Sequence, residues 1–382
     1  MKHENITQLI SECERWSEMT CPDPLLEAKK NGKRVIGYFC SYIPVEILYA
    51  AGCVPYRMRA VESAGATQGD AYYSPLNCSF VRRCFGKALR GDFSFLDGVI
   101  FMNGCDHVRR MYDLWRFTKI SPSFLYMFIV PHIIQGNALL EYTNNIRMLI
   151  SSIEAQTGVS IQKTDLTHAI QLYNHKRRLL QSLNQIRQQE SVQLTGTDML
   201  SIVKAVSAIP IDIAIDRLEQ IHDAIGQRPL QTKPSVRLFL AGGCLEEIEH
   251  MRLIEQEGVR VVSDNLCFGT REYDKQIDES GDPIEALAYG YLHQVSCPRM
   301  MDDVTRRTEW FTDQMQQSYI HGIIIEKIKF CDLWAWEIFR MNRLAESLSM
   351  PFLSIERELY GGSTGQIRTR IQAFLEQIKN TK

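Results

Sequence analysis

The chain contains two stretches in which a short apolar strand pattern leads, after a turn, to a cysteine and an aspartate that open a helical pattern. In the first, residues 96–102 (LDGVIFM) lead to Cys105; in the second, residues 321–325 (HGIII) lead to Cys331. Short runs rich in valine and isoleucine are typical of buried parallel strands, and open α/β sheets gather functional groups beyond the carboxyl ends of such strands. One such cysteine is most often a small buried side chain, but two in matching positions indicate a shared site.

Strand and helix patterns alternate through residues 1–135 and again through residues 231–382. Between them, residues 136–230 carry long helical patterns and no convincing strand. With 382 residues, 45% of them hydrophobic, the chain is long enough for two domains with separate cores. We therefore predict an α/β fold in which two Rossmann- or flavodoxin-like parallel-sheet domains are joined by a helical layer.

Charge and hydropathy exclude several classes of protein. The net charge of −2, without an extended basic cluster, argues against a nucleic-acid-binding protein. The apolar stretch 123–134 is too short to span a bilayer and is interrupted by Pro131. The N-terminal residues lack the apolar region of a signal peptide, so we expect a cytoplasmic protein that does not bind membranes.

The chain has eleven cysteines, an odd number. Without a secretion signal this argues against a disulfide framework, because the cytosol keeps thiols reduced. No CxxC pair occurs, which argues against zinc ribbons and ferredoxin-type runs. The cysteines are therefore expected to bind a metal group, to take part in redox chemistry or simply to be buried, and a metal group would draw its ligands from distant parts of the chain.

Three cysteines are the best candidates for such a group. Cys105 and Cys331 follow strands, and Cys78 is predicted to lie in the first turn of a helix capped by Asn77, where the helix dipole and free amides favour a thiolate. Three thiolates on a 4Fe–4S cubane leave the fourth iron open to a non-protein ligand. The spacing alone does not separate this hypothesis from plain burial.

Further cysteines form a second tier or are assigned to the protein interior and surface. Cys267 and Cys297 stand behind the first three as candidates, Cys267 because it also follows a strand. Five others are predicted to be ordinary core or surface thiols: Cys13, Cys21, Cys40, Cys53 and Cys244. Of these, Cys40 and Cys244 also follow strands.

Two polar features are additional candidates. Gly361, Gly362 and Ser363 precede a helix that carries Arg368, an arrangement that can bind an anionic part of a substrate, although a simple turn explains it equally well. No Gly-Lys-Ser/Thr follows, so it is not a Walker A loop. Glu46, near the start of a helix, is a candidate acid/base group, but a glutamate there more often only complements the helix dipole.

Several motifs together resemble those of one enzyme family. They are residues 37–46 (GYFCSYIPVE), 78–82 (CSFVR), 105–110 (CDHVRR), 264–269 (DNLCFG), 296–300 (SCPRM), 329–332 (KFCD) and 365–370 (GQIRTR). With these motifs, which span nearly the whole chain, the sequence resembles the iron–sulfur subunits of the benzoyl-CoA reductase / 2-hydroxyacyl-CoA dehydratase family.

The resemblance implies a cofactor, partners and a reaction. A 4Fe–4S cluster is expected on Cys78, Cys105 and Cys331, in a heterodimer with a homologous second subunit. An ATP-hydrolysing iron–sulfur activator protein is expected to supply a low-potential electron to an acyl-CoA or aryl-CoA thioester, which passes through a ketyl-type radical. Reductases of the family then reduce an aromatic ring, and dehydratases expel a hydroxyl group as water.

Within the family, the chain looks most like the smaller subunit of ATP-dependent aryl-CoA reductases, with a dehydratase subunit as the alternative. Another branch carries an 8Fe–9S double cubane, usually in a homodimer. Six cysteines are candidates for that cluster: Cys78, Cys84, Cys105, Cys267, Cys297 and Cys331. Outside the enzymes, a cysteine-rich α/β interaction protein without a cluster remains the alternative.

Overall fold

The computed structural model describes residues 5–61, 67–190, 193–228, 234–256, 258–361 and 364–381. Within these ranges the chain forms two four-stranded parallel sheets with helices packed around them. The predicted α/β fold with two parallel-sheet domains is therefore confirmed.

The first sheet consists of β1 (Arg34–Tyr38), β2 (Cys53–Arg57), β3 (Gly98–Met102) and β4 (Phe124–Phe128). Its spatial order is β2-β1-β3-β4, with all neighbouring strands parallel. Nearly all residues of β1, β2 and β3 are buried, which explains their continuous apolar sequences. Gly98 is required at the start of β3 because a Cβ atom there would lie 2.4 Å from the ring of Phe124.

The second sheet repeats this topology. It consists of β5 (Val236–Gly242), β6 (Val259–Asn265), β7 (Gly322–Ile328) and β8 (Phe352–Arg357), in the order β6-β5-β7-β8 and again parallel. In both sheets the chain moves to one edge and then returns past its first strand. The topological switch points, where α/β folds bind ligands, therefore lie between β1 and β3 and between β5 and β7.

Fifteen helices accompany the strands in the described ranges. They are α1 (Ile6–Glu18), α2 (Asp23–Lys30), α3 (Val45–Ala50), α4 (Thr67–Asp70), α5 (Ser79–Leu89), α6 (Asp106–Thr118), α7 (Ala138–Thr157), α8 (Lys163–Arg187), α9 (Gly196–Val206), α10 (Ile211–Ile225), α11 (Ile248–Ile254), α12 (Pro283–Leu292), α13 (Val304–Gln317), α14 (Asp332–Ser347) and α15 (Thr364–Thr381). A short 3-10 helix covers Thr270–Glu272.

Helices α7 to α10 follow one another between the two sheets in sequence. Helix α8 packs against α3 and α10, and α1 packs against α9 and α10. The apolar sides of α1, α8, α9 and α10 share one hydrophobic core. These contacts agree with a helical layer between the sheet domains, while the proposed boundaries 1–135, 136–230 and 231–382 stay a prediction.

The segments that follow the strands of the two sheets meet each other. The hydroxyl of Ser41, beyond β1, donates to Oε1 of Glu272, beyond β6, at 2.8 Å. An imidazole nitrogen of His107, beyond β3, lies 2.9 Å from the carbonyl oxygen of Phe330, beyond β7. The carboxyl ends of both sheets therefore border the same region of the molecule.

Candidate functional site

A cavity between the carboxyl ends of the two sheets is lined by seven cysteines. Its space not filled by protein atoms, including the part open to solvent, is about 870 Å³, and its other walls are mostly apolar, including Phe39, Phe80, Met102 and Trp334. The cysteines are Cys40, Cys78, Cys105, Cys244, Cys267, Cys297 and Cys331. Thiols from distant parts of the chain are thus gathered at the switch points of both sheets.

Three of these thiols, the helix-start thiols, each belong to the residue that caps the N-terminus of a helix. Cys78 precedes α5, Cys105 precedes α6 and Cys331 precedes α14. None of the three side chains forms a capping hydrogen bond, but backbone amides of the following turn lower the pKa of each thiol. Because helix N-termini carry unpaired amides and positive dipole ends, they stabilise thiolates.

The start of α5 differs by one residue from the sequence-based expectation. Cys78, rather than Asn77, occupies the cap position, with an extended backbone (φ −64°, ψ 145°). Asn77 instead contacts His107: its Oδ1 lies 2.8 Å from Nδ1 of the imidazole. Since the other imidazole nitrogen contacts the carbonyl of Phe330, His107 links the segments that carry the three helix-start thiols.

The pKa values of all three helix-start thiols are raised, so burial favours their protonated forms. Burial raises the pKa of Cys78 to about 11 and that of Cys331 to about 12. Burial, followed by repulsion from Cys78, raises the pKa of Cys105 well above its ordinary value. A metal group that binds thiolates would displace these protons and remove the repulsion.

The other four thiols, the arginine-flanked thiols, are Cys40, Cys244, Cys267 and Cys297. Cys40, Cys244 and Cys267 follow β1, β5 and β6, and Cys297 lies between α12 and α13. The backbone of Cys40 has a φ of 85°, in the left-handed region, a costly conformation of the kind that clusters at functional sites. The Cys244 and Cys267 side chains hydrogen-bond to each other, which raises the pKa of Cys244 and lowers that of Cys267.

Three buried arginines surround this second group: Arg57, Arg271 and Arg299, with exposed fractions of 2%, 3% and 2%. Nη2 of Arg271 lies 3.3 Å from Sγ of Cys267. Arg57 and Arg299 line the cavity, and Arg57 further lowers the pKa of Cys267.

These guanidinium groups retain unused hydrogen-bond donors. Nη1 of Arg57, Nε and Nη1 of Arg271 and Nε of Arg299 are buried and have no hydrogen-bond acceptor among the described residues. Nor does any carboxylate appear among the described residues that line the cavity. Buried donors without acceptors are costly, so the cavity is suited to an anionic group.

The arrangement fits a multi-iron group better than a single ion. Across the described parts of the chain, no three His, Cys, Asp or Glu side chains converge on one point as ligands of a single metal ion would. The thiols instead surround a cavity, and in an iron–sulfur cluster each thiolate binds a different iron. The fit therefore rests on the donor set, which is rich in sulfur and flanked by positive charge.

Cys84 lies outside the group of thiols that line the cavity. It is fully buried in α5, in the hydrophobic core that also contains Phe85 and Trp115. Burial raises its pKa well above the ordinary value. Six residues along a helix from Cys78, its side chain points to a different face.

Glu46 is buried and paired rather than free. Its Oε1 lies 2.6 Å from Nη2 of Arg177, and its Oε2 accepts a hydrogen bond of 2.7 Å from the hydroxyl of Tyr291. Of the predicted anion-binding loop, Gly361 and Arg368 are exposed and away from the cysteine cavity. Gly362 and Ser363 lie outside the described residues.

A second, polar cavity of about 490 Å³ adjoins the arginine-flanked thiols. Glu272 lines this polar cavity, and its Oε1 lies 3.5 Å from Nη1 of Arg57, which lines the cysteine cavity. Lys176 also lines it, and burial lowers the pKa of its ammonium group to about 8. The polar cavity therefore adds a further cation behind the arginine-flanked thiols.

The sequence model of the family described as "2-hydroxyglutaryl-CoA dehydratase, D-component" matches residues 40–378. The chain therefore belongs to this family. The match includes every strand except β1, the helices between the two sheets and all seven cysteines of the cavity, and it confirms the resemblance inferred from the motifs.

Relatives of the chain are named as subunits of enzymes. A benzoyl-CoA reductase subunit of Thauera aromatica is 24% identical over 356 residues, covering 91% of each chain. The (R)-phenyllactyl-CoA dehydratase beta subunit of Clostridium sporogenes is 23% identical, covering 92% of this chain and 93% of the relative. The beta subunit of (R)-2-hydroxyglutaryl-CoA dehydratase from Acidaminococcus fermentans is 20% identical, covering 98% of this chain and 100% of the relative. The prediction of an enzyme, either an oxidoreductase or a lyase, is thus confirmed.

Helices that combine the length and the apolar character needed to cross a membrane were sought throughout the described residues, and none was found.

Proposed function

We propose that this chain is the cluster-bearing subunit of an oxidoreductase that passes low-potential single electrons to a CoA thioester. The observation that carries the proposal is the cavity in which seven thiols meet at the switch points of two parallel sheets. Sulfur ligands from distant segments, enclosed by apolar walls, suit an iron–sulfur cluster that must be shielded from water. Such thiols need a reducing compartment, for which we propose the cytoplasm.

The helix-start thiols, Cys78, Cys105 and Cys331, are the proposed ligands of a first 4Fe–4S cluster. Three thiolates leave one iron without a protein ligand, which would give a substrate oxygen or water access to the metal. The chain's own part is to hold the three sulfur atoms at helix N-termini, where backbone amides stabilise their negative charge.

The arginine-flanked thiols support an extended cluster of the double-cubane type. An 8Fe–9S group needs about six thiolates, and Cys40, Cys267 and Cys297 would complete the set, with Cys244 beside Cys267 as a further donor. Cys84 takes no part in this proposal because it does not line the cavity. Because the cavity holds this second group of thiols with arginines around them, we favour a double cubane over a single cubane.

The proposed reaction is the reduction of an aromatic CoA thioester through a ketyl radical, as in benzoyl-CoA reductases. The alternative is the radical elimination of water from a 2-hydroxyacyl-CoA. Both rest on the names of the relatives, which are subunits of such reductases and dehydratases. A homologous second subunit, or a second copy for the double-cubane type, and an ATP-hydrolysing iron–sulfur activator are the proposed partners.

Iron and acid-labile sulfide per chain, measured on anaerobically purified protein, test the cluster proposal. About eight irons per chain are expected for the double cubane, and about four for a single cubane on the helix-start thiols. Protein that binds no iron, after reconstitution with ferrous iron and sulfide, would contradict the proposed function.

The amount of reductant consumed per product separates the two reactions. Reduction of an aromatic ring consumes electrons with every turnover, whereas elimination of water is redox-neutral and needs only catalytic amounts of electrons. With the activator, ATP and a titrated reductant, we expect stoichiometric consumption with benzoyl-CoA. Product formed from a 2-hydroxyacyl-CoA with only catalytic reductant would favour the dehydratase.

A further inference from the structure

The two groups of thiols in the cysteine cavity differ in the charges around them. Three buried arginines, Arg57, Arg271 and Arg299, flank Cys40, Cys244, Cys267 and Cys297. Around the helix-start thiols the stabilising groups are mainly backbone amides. A full positive charge acts more strongly than a partial one on an anionic group in a buried site.

Arg57 is a buried cation with one long ion pair and an unused hydrogen-bond donor. Its guanidinium lies 5.3 Å from the ring centroid of Tyr38 and 5.4 Å from that of Phe268. Its nearest carboxylate, Glu272, is 3.5 Å away and also accepts from Ser41. Because Nη1 of Arg57 makes no hydrogen bond to any described residue, an anion in the cavity would complete its environment.

Arg271 and Arg299 are held in place by backbone carbonyls. Nη2 of Arg271 donates to the carbonyl of Gly242 at 2.6 Å, and Arg299 donates to the carbonyls of Val130 and Pro131 at 3.0 and 2.8 Å. Carbonyls fix the direction of a guanidinium without neutralising its charge. Both groups therefore keep their positive charge beside the second group of thiols.

The helix-start thiols have a different neighbour. Arg82 lowers the pKa of Cys78, but it is already paired with Asp70 and Glu358. Its positive charge is thus matched by two carboxylates. Arg271 and Arg299 form no ion pair with a described carboxylate, so the uncompensated positive charge lies at the end of the arginine-flanked thiols.

We propose that Arg57, with Arg271 and Arg299, raises the reduction potential of the bound cluster and makes this end of the cavity the place where an added electron settles. The inference rests on the proposed function. One electron leaves the external reductant and enters the cluster, and no bond forms or breaks. Since reduction adds negative charge, nearby buried cations stabilise the reduced form more than the oxidised form.

The test is a redox titration monitored by electron paramagnetic resonance on the anaerobic holoprotein, with dithionite or a lower-potential titanium(III) reductant. Arg57→Met is compared with Arg57→Lys, which keeps the charge. Arg109→Met is the matched control, because it removes an exposed arginine close to Cys105. Iron per chain is measured for every variant.

We expect Arg57→Met to keep its iron and to shift the midpoint potential to a more negative value. Arg57→Lys and Arg109→Met should stay close to the wild type. If Arg57→Met loses iron, Arg57→Gln replaces it, and its potential must still lie below that of Arg57→Lys. An Arg57→Met protein with full iron content and an unchanged or more positive potential would overturn this inference but not the proposed function. A wild-type protein without iron would overturn both.

Discussion

The two ends of the cysteine cavity stabilise negative charge in different ways. At one end, Cys78, Cys105 and Cys331 occupy the cap positions of helices, where backbone amides of the first turn lower the pKa of each thiol. At the other end, cysteines in loops are flanked by buried guanidinium groups. Amides contribute partial charges that belong to the fold itself, while arginines contribute full charges that a single substitution can remove. The first end is therefore suited to holding a cluster, and the second to tuning it.

Both ends also include a residue with strained backbone. Cys40 has a φ of 85°, and Phe330, directly before Cys331, has a φ of 67°. Non-glycine residues adopt this region rarely and at a cost. The strain lies where the chain must leave a strand and bring a thiol into the cavity.

The largest expected effect comes from removing a helix-start thiol. Cys105→Ala should lose most of the bound iron and all CoA-thioester turnover, because the first cluster would retain only two of its three protein ligands. Iron per chain is the measurement. Cys84→Ala is the matched control, since Cys84 is buried nearby but does not line the cavity. Equal iron in both variants would contradict the ligand assignment.

Removing an arginine-flanked thiol should have a smaller effect. Cys267→Ala is expected to lose about half of the iron and to keep a cluster at the helix-start end, visible in its electron paramagnetic resonance spectrum. Cys53→Ala removes a buried thiol that does not line the cavity. This variant should keep the full iron content. A Cys267→Ala protein with the full wild-type iron content would argue for a single cubane.

Lys176→Met tests the buried charge behind the arginine-flanked end. Its pKa of about 8 in the folded state, against 10.5 when exposed, means that the buried ammonium destabilises the folded protein below pH 8. The substitution should therefore raise the free energy of unfolding at pH 7 by about 3 kcal/mol. The gain should shrink as the pH rises from 8 to 10.5, where the wild-type lysine becomes neutral in both states. Denaturant unfolding at about pH 7 and about pH 9.5 measures this, and a gain that is the same at both pH values would contradict it.

The smallest effect is expected from His107→Phe, which should weaken the structure only around the helix-start thiols. It removes the contacts to Asn77 and to the carbonyl of Phe330, so the free energy of unfolding should fall by about 1 to 3 kcal/mol. Iron should be lost more readily to a chelator from the helix-start end than from the other end. His168→Phe, on the exposed surface of α8, keeps an aromatic ring beside Tyr49 and is the control that should change neither quantity.

The sheets could be predicted from the sequence because their strands are short continuous apolar runs. Strand β3 is apolar and buried throughout, and β7 begins with a buried apolar run, so the pattern predicts strands at positions 98–102 and 322–325. The same reasoning placed Cys105 and Cys331 at strand ends, and the structure brings both into one cavity. Their role as ligands stays a prediction.

Other parts of the site could not be predicted because they depend on contacts between distant segments. Cys40 and Cys244 carry the strand-end signal, but neither is followed by the Cys-Asp helix start that marked Cys105. Arg57 ends β2 and Arg271 lies in a 3-10 helix, and nothing in their local sequence indicates that both reach the same thiols. Cys84 was a candidate only for the double cubane, and the structure places it in α5 away from the lining of the cavity.

The most direct test of the account is a crystal structure of the anaerobically purified protein with anomalous diffraction measured at the iron absorption edge. The account predicts iron atoms bonded to Cys78, Cys105 and Cys331, and further iron atoms bonded to thiols of the arginine-flanked group. Iron bonded to the helix-start thiols alone would mean that the cluster is a single cubane. A cavity without iron, or iron bound elsewhere on the chain, would contradict the claim that these thiols form a cluster site.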